Sequence, residues 1–158
     1  MALPLKIEHR IGVQAPAEPI WALISNINGW SSWNPLYPQA KGEVQFGAKL
    51  ELTVAIPGEA SREIRPTVQD WTPNEQIIWT LSLLGGLIRS TRYIEIETLE
   101  NGNVIFSNGE IFEGRLQWLI GKKRQRAIKA AFATFGETVR DRAEAAWKAA
   151  HPDATSAA

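Results

Sequence analysis

The sequence contains no cysteine. Disulfides, thiolate metal sites and a cysteine nucleophile are therefore excluded. Its two histidines, His9 and His151, are too few for a multi-histidine metal centre. Charge is balanced, with 17 Lys and Arg against 17 Asp and Glu, so the chain as a whole has no electrostatic footprint for nucleic acid. No apolar run reaches the ~18 residues of a membrane span. The opening Met-Ala-Leu-Pro-Leu-Lys lacks the apolar stretch and cleavage site of a signal peptide. These absences lead us to expect a soluble cytoplasmic protein with no metal, no cofactor, no transmembrane segment and no nucleic-acid partner.

What the chain does have is apolar and aromatic mass. Seven tryptophans in 158 residues supply much of a core. The length fits one domain, expected over residues 1–150, with 151–158 as a flexible tail. Residues 5–14 alternate, placing Ile7, His9, Ile11 and Val13 on one face of a strand. Pro16 and Glu18 then suit a helix start, with Ile20, Trp21, Leu23 and Ile24 as its apolar face. A loop with short-helix chemistry follows and carries Trp30, Trp33, Leu36 and Tyr37.

From Lys41 the period becomes two. Strands are expected over 49–56, 62–71, 76–84, 88–99 and 104–114, separated by turn residues, with Pro66 forcing a bulge or a sheet edge. Asn101-Gly102 marks a hairpin. Strands joined by tight turns make an antiparallel meander rather than βαβ units. From about Leu116 to Ala150 one amphipathic helix is expected, with Ile128, Phe132, Phe135, Val139, Ala143 and Ala146 along its stripe.

Three stretches, in this order, resemble the START-like (SRPBCC) superfamily. They are the Ile11–Trp21 strand and helix start, the segment Trp30-Ser31-Ser32-Trp33-Asn34-Pro35, and Asn108-x-Glu110-x-Phe112-x-Gly114. Asn108 stands where one bacterial branch carries His. The resemblance covers about residues 5–148. It implies an α+β helix-grip fold: a seven-stranded antiparallel sheet wrapped around a long C-terminal helix, with two short helices after the first strand. It also implies a cavity between sheet and helix for a hydrophobic small molecule or lipid. A cofactor-independent enzyme of the polyketide cyclase/dehydrase kind, and a stress-response or chaperone-accessory interaction module, are alternatives on the same fold.

Polar residues on inward faces are the candidates for a site. His9 lies in the Ile7–Val13 series. Arg92 shares a face with Ile88, Ile94 and Ile96, and Asn108 and Glu110 share one with Val104, Phe106 and Phe112. A two-residue turn at Asn101-Gly102 would put Arg92 opposite Ile111, whereas a three-residue bulged loop would put it opposite Glu110. The bulged loop keeps Ile94, Ile96, Phe106 and Phe112 together and leaves Tyr93, Glu95 and Glu97 outside, so it is preferred.

A charged pair of Arg92 with Glu110, near His9 or Asn108, then either anchors a ligand, provides a general base, or satisfies only itself. Trp79, Phe106, Phe112, Trp33, Phe132 and Phe135 complete the expected ligand-binding set. Trp118, Leu119 and Ile120 precede the basic run Lys122–Arg126. That juxtaposition admits peripheral membrane contact, against the commoner alternative of a solvated helix face.

Overall fold

The computed structural model describes residues 3–152. Strand β1 (Leu5–Val13) leads into helix α1 (Ala17–Ser25) and a 3-10 turn over Ile27–Ser32. Seven further strands follow: β2 (Gln39–Lys41), β3 (Glu51–Val54), β4 (Arg62–Ile64), β5 (Thr67–Thr72), β6 (Gln76–Leu83), β7 (Ile88–Thr98) and β8 (Val104–Glu113). Helix α2 (Lys122–Ala150) closes the chain. One sheet runs β1-β8-β7-β6-β5 and a second runs β2-β3-β4, with antiparallel pairing throughout. This is the helix-grip architecture.

The strand count differs from the seven expected, and Pro66 is the reason. It has no N–H to donate, so the expected strand over 62–71 divides into β4 and β5. The division does not open the wall. Leu50 N donates to Pro66 O (2.9 Å) and Val68 N to Ala48 O (2.8 Å), so the segment before β3 pairs along β5 and joins the two sheets.

The long helix also begins later than Leu116. Residues Gln117–Leu119 form a separate 3-10 turn, and Gly121, in an extended conformation, precedes the first turn of α2. His151 stacks on Trp147 at 3.6 Å, and the rest of the expected tail, 153–158, lies outside the described residues.

The β7–β8 hairpin sets the register on which the site depends. Leu99 N donates to Asn103 O (2.8 Å) and Gly102 N to Leu99 O (2.9 Å). Gly102 has φ 87°, the left-handed residue that closes a three-residue loop. Arg92 therefore faces Glu110, and Ile96 faces Phe106, as the bulged loop requires.

The inner face of the sheet packs on α2 through Ile128, Phe132, Phe135, Val139 and Ala143, all buried. An aromatic plug fills the grip. Trp30 stacks on Tyr37 with centroids 5.3 Å apart, Trp33 stacks on Phe135 at 6.1 Å, and Phe106 meets Phe135 at 5.9 Å.

On the outer face Tyr93 lies across Gly109, its register partner, and its hydroxyl donates to Glu8. A Cβ at Gly109 would overlap the Tyr93 hydroxyl and sit 2.7 Å from Ile7 O. Overpacking of this kind costs about 1–3 kcal/mol. Gly109→Ala should lower the urea midpoint accordingly, and an unchanged midpoint would refute this account of the outer face.

Candidate functional site

A buried arginine organises the interior. Arg92 is 2% exposed. Its Nε donates to Tyr37 Oη (3.0 Å), one terminal nitrogen donates to Tyr93 O (3.1 Å) and Gly109 O (3.0 Å), and the other donates to Asn108 Oδ1 (2.9 Å). The guanidinium carbon lies 4.0 Å from the Phe132 ring centroid. The charge is thus satisfied by neutral oxygens and an aromatic face rather than by a carboxylate.

Each partner is positioned by a different part of the chain. Tyr37 depends on the Trp-Asn-Pro segment: buried Asn34 accepts from Leu36 N (3.0 Å) and Tyr37 N (3.1 Å) through Oδ1, an Asx-type turn that presents the Tyr37 side chain to the sheet. Asn108 accepts from Arg92 and donates through Nδ2 to Phe132 O (3.2 Å), connecting β8 to α2. Loop, sheet and helix therefore meet at one guanidinium.

Glu110 sits opposite Arg92, but its carboxylate takes the Ser90 hydroxyl instead. Burial raises its pKa above the usual carboxylate range, and the Ser90 hydrogen bond and the Arg92 charge oppose the shift. Burial also raises the pKa of Tyr37, against the nearby Arg92. Tyr37 Oη accepts from Arg92, so its own proton remains available to a second partner.

Between sheet and α2 these groups line a cavity of about 30 Å³. Arg92, Glu110, Ser90 and Tyr37 share its wall with apolar side chains that include Trp79, Leu81, Val54 and Phe132. The volume suits one or two waters. Val54, Ile56 and Arg62 also line an adjoining recess of about 170 Å³ that opens outward. There Arg124 of α2 pairs with Glu59 of the β3–β4 turn at 3.2 Å.

Of the residues proposed from sequence, Arg92, Glu110, Trp79 and Phe132 line this cavity. Asn108 stands behind Arg92 and does not reach it. His9 is the register partner of Asn108, and a Cβ at Gly136 would lie 3.1 Å from its Nδ1, so it is packed against α2. Trp33, Phe106 and Phe135 belong to the aromatic plug, and Phe112 is buried opposite Ser90. No cluster of three or more metal-ligating side chains occurs among the described residues.

Among the wall residues absent from the sequence-derived set are two hydroxyl-bearing ones, Tyr37 and Ser90. Ser90 was legible, because it lies on the same β7 face as Ile88 and Arg92. Tyr37 follows an irregular loop, where side-chain periodicity carries no information.

The raised pKa of Glu110 has a definite sign. The folded protein keeps a proton that the unfolded chain releases, so this contribution to stability is complete below the ordinary glutamate pKa. It is lost as pH rises through the raised value. Glu110→Gln should therefore match the parent in acid and exceed its stability at neutral pH. Parallel curves of urea midpoint against pH would show that Glu110 is not held protonated by folding.

Comparison with known proteins agrees with this architecture. The chain is similar in structure to the Zhui aromatase/cyclase from Streptomyces sp. R1128 (TM-score 0.65, 15% identity, 92% of this chain and 94% of that one). It is also similar to the ginseng major latex-like protein 151 from Panax ginseng (TM-score 0.67, 10% identity, 92% of this chain and 99% of that one). A third likeness is to the di-domain ARO/CYC StfQ from the steffimycin biosynthetic pathway, with TM-score 0.67 and 11% identity. That match covers 92% of this chain, which spans about half (51%) of the di-domain protein. No curated protein matches the chain by sequence. At these identities the structural likenesses speak for the fold alone. A family model described as polyketide cyclase / dehydrase and lipid transport matches residues 4–148, nearly the whole described chain, and the protein belongs to that family, within the START-like superfamily.

Proposed function

We propose that the protein binds a small molecule with an apolar body and an oxygen-bearing head in the cavity between sheet and α2. The observation that carries this reading is the composition of the cavity wall. Tyr37, Ser90, Arg92 and Glu110 supply hydroxyl, guanidinium and carboxyl groups, while Val54, Trp79, Leu81 and Phe132 supply apolar surface. A few placed polar groups in an apolar enclosure are the usual design of a ligand site. The free Tyr37 proton can donate to an acceptor oxygen, and so can Glu110 in the protonated form that burial favours.

The enclosure is small at rest, so a ligand enters by displacing the mouth. The β3–β4 turn is the mobile wall in this reading, and the Glu59–Arg124 pair is its latch.

A second reading is favoured by the position of Glu110. A carboxyl whose pKa is raised by burial in an enclosed site suits a general acid when protonated and a base when ionised, as cofactor-independent cyclisation or dehydration requires. The family model, described as polyketide cyclase / dehydrase and lipid transport, supports the same class. This reading demands turnover of a poly-β-keto substrate with a pH limb that disappears in Glu110→Gln. Binding without turnover favours the carrier.

The direct test is titration with a dansylated fatty acid, together with native mass spectrometry and extraction of co-purified compounds. The parent should bind the probe. Glu110→Leu, which keeps the size and removes the donor, should weaken binding about tenfold, the loss of one hydrogen bond of about 1.4 kcal/mol. Failure of the parent to bind the probe or to retain any extractable compound would contradict the reading.

A further inference from the structure

The end of the molecule that carries the cavity mouth has an unusual surface. Residues 114–136 hold six of the chain's 17 basic side chains and no acidic one, although the whole chain is neutral. Arg115, Lys122, Lys123 and Arg126 are exposed, and so is Arg89 on the neighbouring strand. Large apolar side chains stand out among them. Trp118 is 71% exposed and Leu119 is 50% exposed.

The apolar residues are brought together by the fold. Leu84 and Leu87, both exposed, occupy the turn between β6 and β7, and Leu87 O accepts from Leu116 N (3.3 Å). At the other side Leu5 N donates to Gln117 Oε1 (3.0 Å), which holds exposed Leu3 beside the Trp118 turn. Leu3, Trp118, Ile120 and Lys122 wall an open groove there.

The basic residues contradict the stability of the helix that bears them. The first turn of α2 contains Lys122, Lys123 and Arg124 and no acidic residue. A helix N-terminus carries partial positive charge, so cations there oppose the dipole. Only Arg124 has a carboxylate partner among the described residues of this turn, Glu59. A local rule broken without a folding benefit marks a functional surface.

We infer that this end docks on an anionic phospholipid surface, with Trp118, Leu119, Leu84 and Leu87 entering the headgroup layer and Lys122, Lys123, Arg115 and Arg126 on the lipid phosphates and carboxylates. Charge complementarity selects the occupant. Exposed Trp and Leu interleaved with Lys and Arg are the composition of interfacial membrane contacts. Tryptophan itself prefers the interface between headgroups and acyl chains. No helix of the described residues is long and apolar enough to cross a membrane, so the contact is peripheral. Docking stands whatever the cavity holds. If the cavity binds a hydrophobic ligand, docking also turns its mouth, spanned by Glu59 and Arg124, toward the lipid.

The test is co-sedimentation of the full chain with vesicles of phosphatidylcholine alone and of phosphatidylcholine with phosphatidylserine. The protein should pellet with the anionic vesicles, release at high salt, and stay in solution with the neutral ones. Lys122→Glu combined with Lys123→Glu should lower the partition coefficient at least tenfold, since each basic residue is worth about fivefold at such a surface. The same variant should be no less stable than the parent, because acidic residues suit that end of the helix. Trp118→Ala should weaken vesicle binding without altering the salt dependence. Absence of binding to phosphatidylserine vesicles, or equal binding by the double variant, overturns the inference. Binding to an acidic protein but to no vesicle would also overturn it.

Discussion

The fold is organised around a buried positive charge that has no ion-pair partner among the described residues. Arg92 sits in the inner wall of the sheet, its hydrogen bonds going to a tyrosine hydroxyl, an asparagine carbonyl and two backbone carbonyls, its flat face on Phe132. An isolated cation in such a place is very costly. The structure meets the cost with preorganised dipoles, and each dipole belongs to a different element. The Asn34 turn must place Tyr37, the β7–β8 loop must set the register, and α2 must offer Phe132 and its carbonyl to Asn108. Misplacing any one leaves a buried charge short of a partner, so Arg92 couples the formation of all three.

The same choice releases Glu110. Arg92 makes four hydrogen bonds to neutral acceptors, and Glu110 hydrogen-bonds Ser90 rather than the guanidinium. Burial then dominates its titration and favours the protonated acid. A close Arg92–Glu110 pair would have held the carboxyl ionised. The separation of these two groups therefore leaves burial as the largest influence on the Glu110 carboxyl, and its pKa rises.

Much of this was legible in the sequence, and the remainder has identifiable causes. Alternation along 88–99 and 104–114 located both faces, and keeping Ile94, Ile96, Phe106 and Phe112 together favoured the three-residue loop that sets Arg92 opposite Glu110. The pairing of their charges was expected from the cost of burial, but sequence does not show that Tyr37 competes for the guanidinium, since Tyr37 arrives through a loop without periodicity. Apolar Trp118, Leu119 and Ile120 extend the helical pattern backward past Gly121, which moved the expected start of α2 too early. Face parity also cannot measure free volume. Phe106 and Phe135 point inward as expected, yet they pack on one another and on Trp30 and Trp33, filling space that parity alone would assign to a ligand.

The central claim is that Arg92 is held by the neutral network rather than by an ion pair. A double-mutant cycle by urea unfolding, using Arg92→Met, Tyr37→Phe and the pair, isolates one arm of that network. Hydrogen bonds to charged groups contribute about 1.5–3 kcal/mol, so the cycle should return a coupling energy of that size. Stability losses that simply add would show that the Tyr37 hydroxyl does not stabilise the buried charge, and the account of how the loop is tied to the sheet would fail.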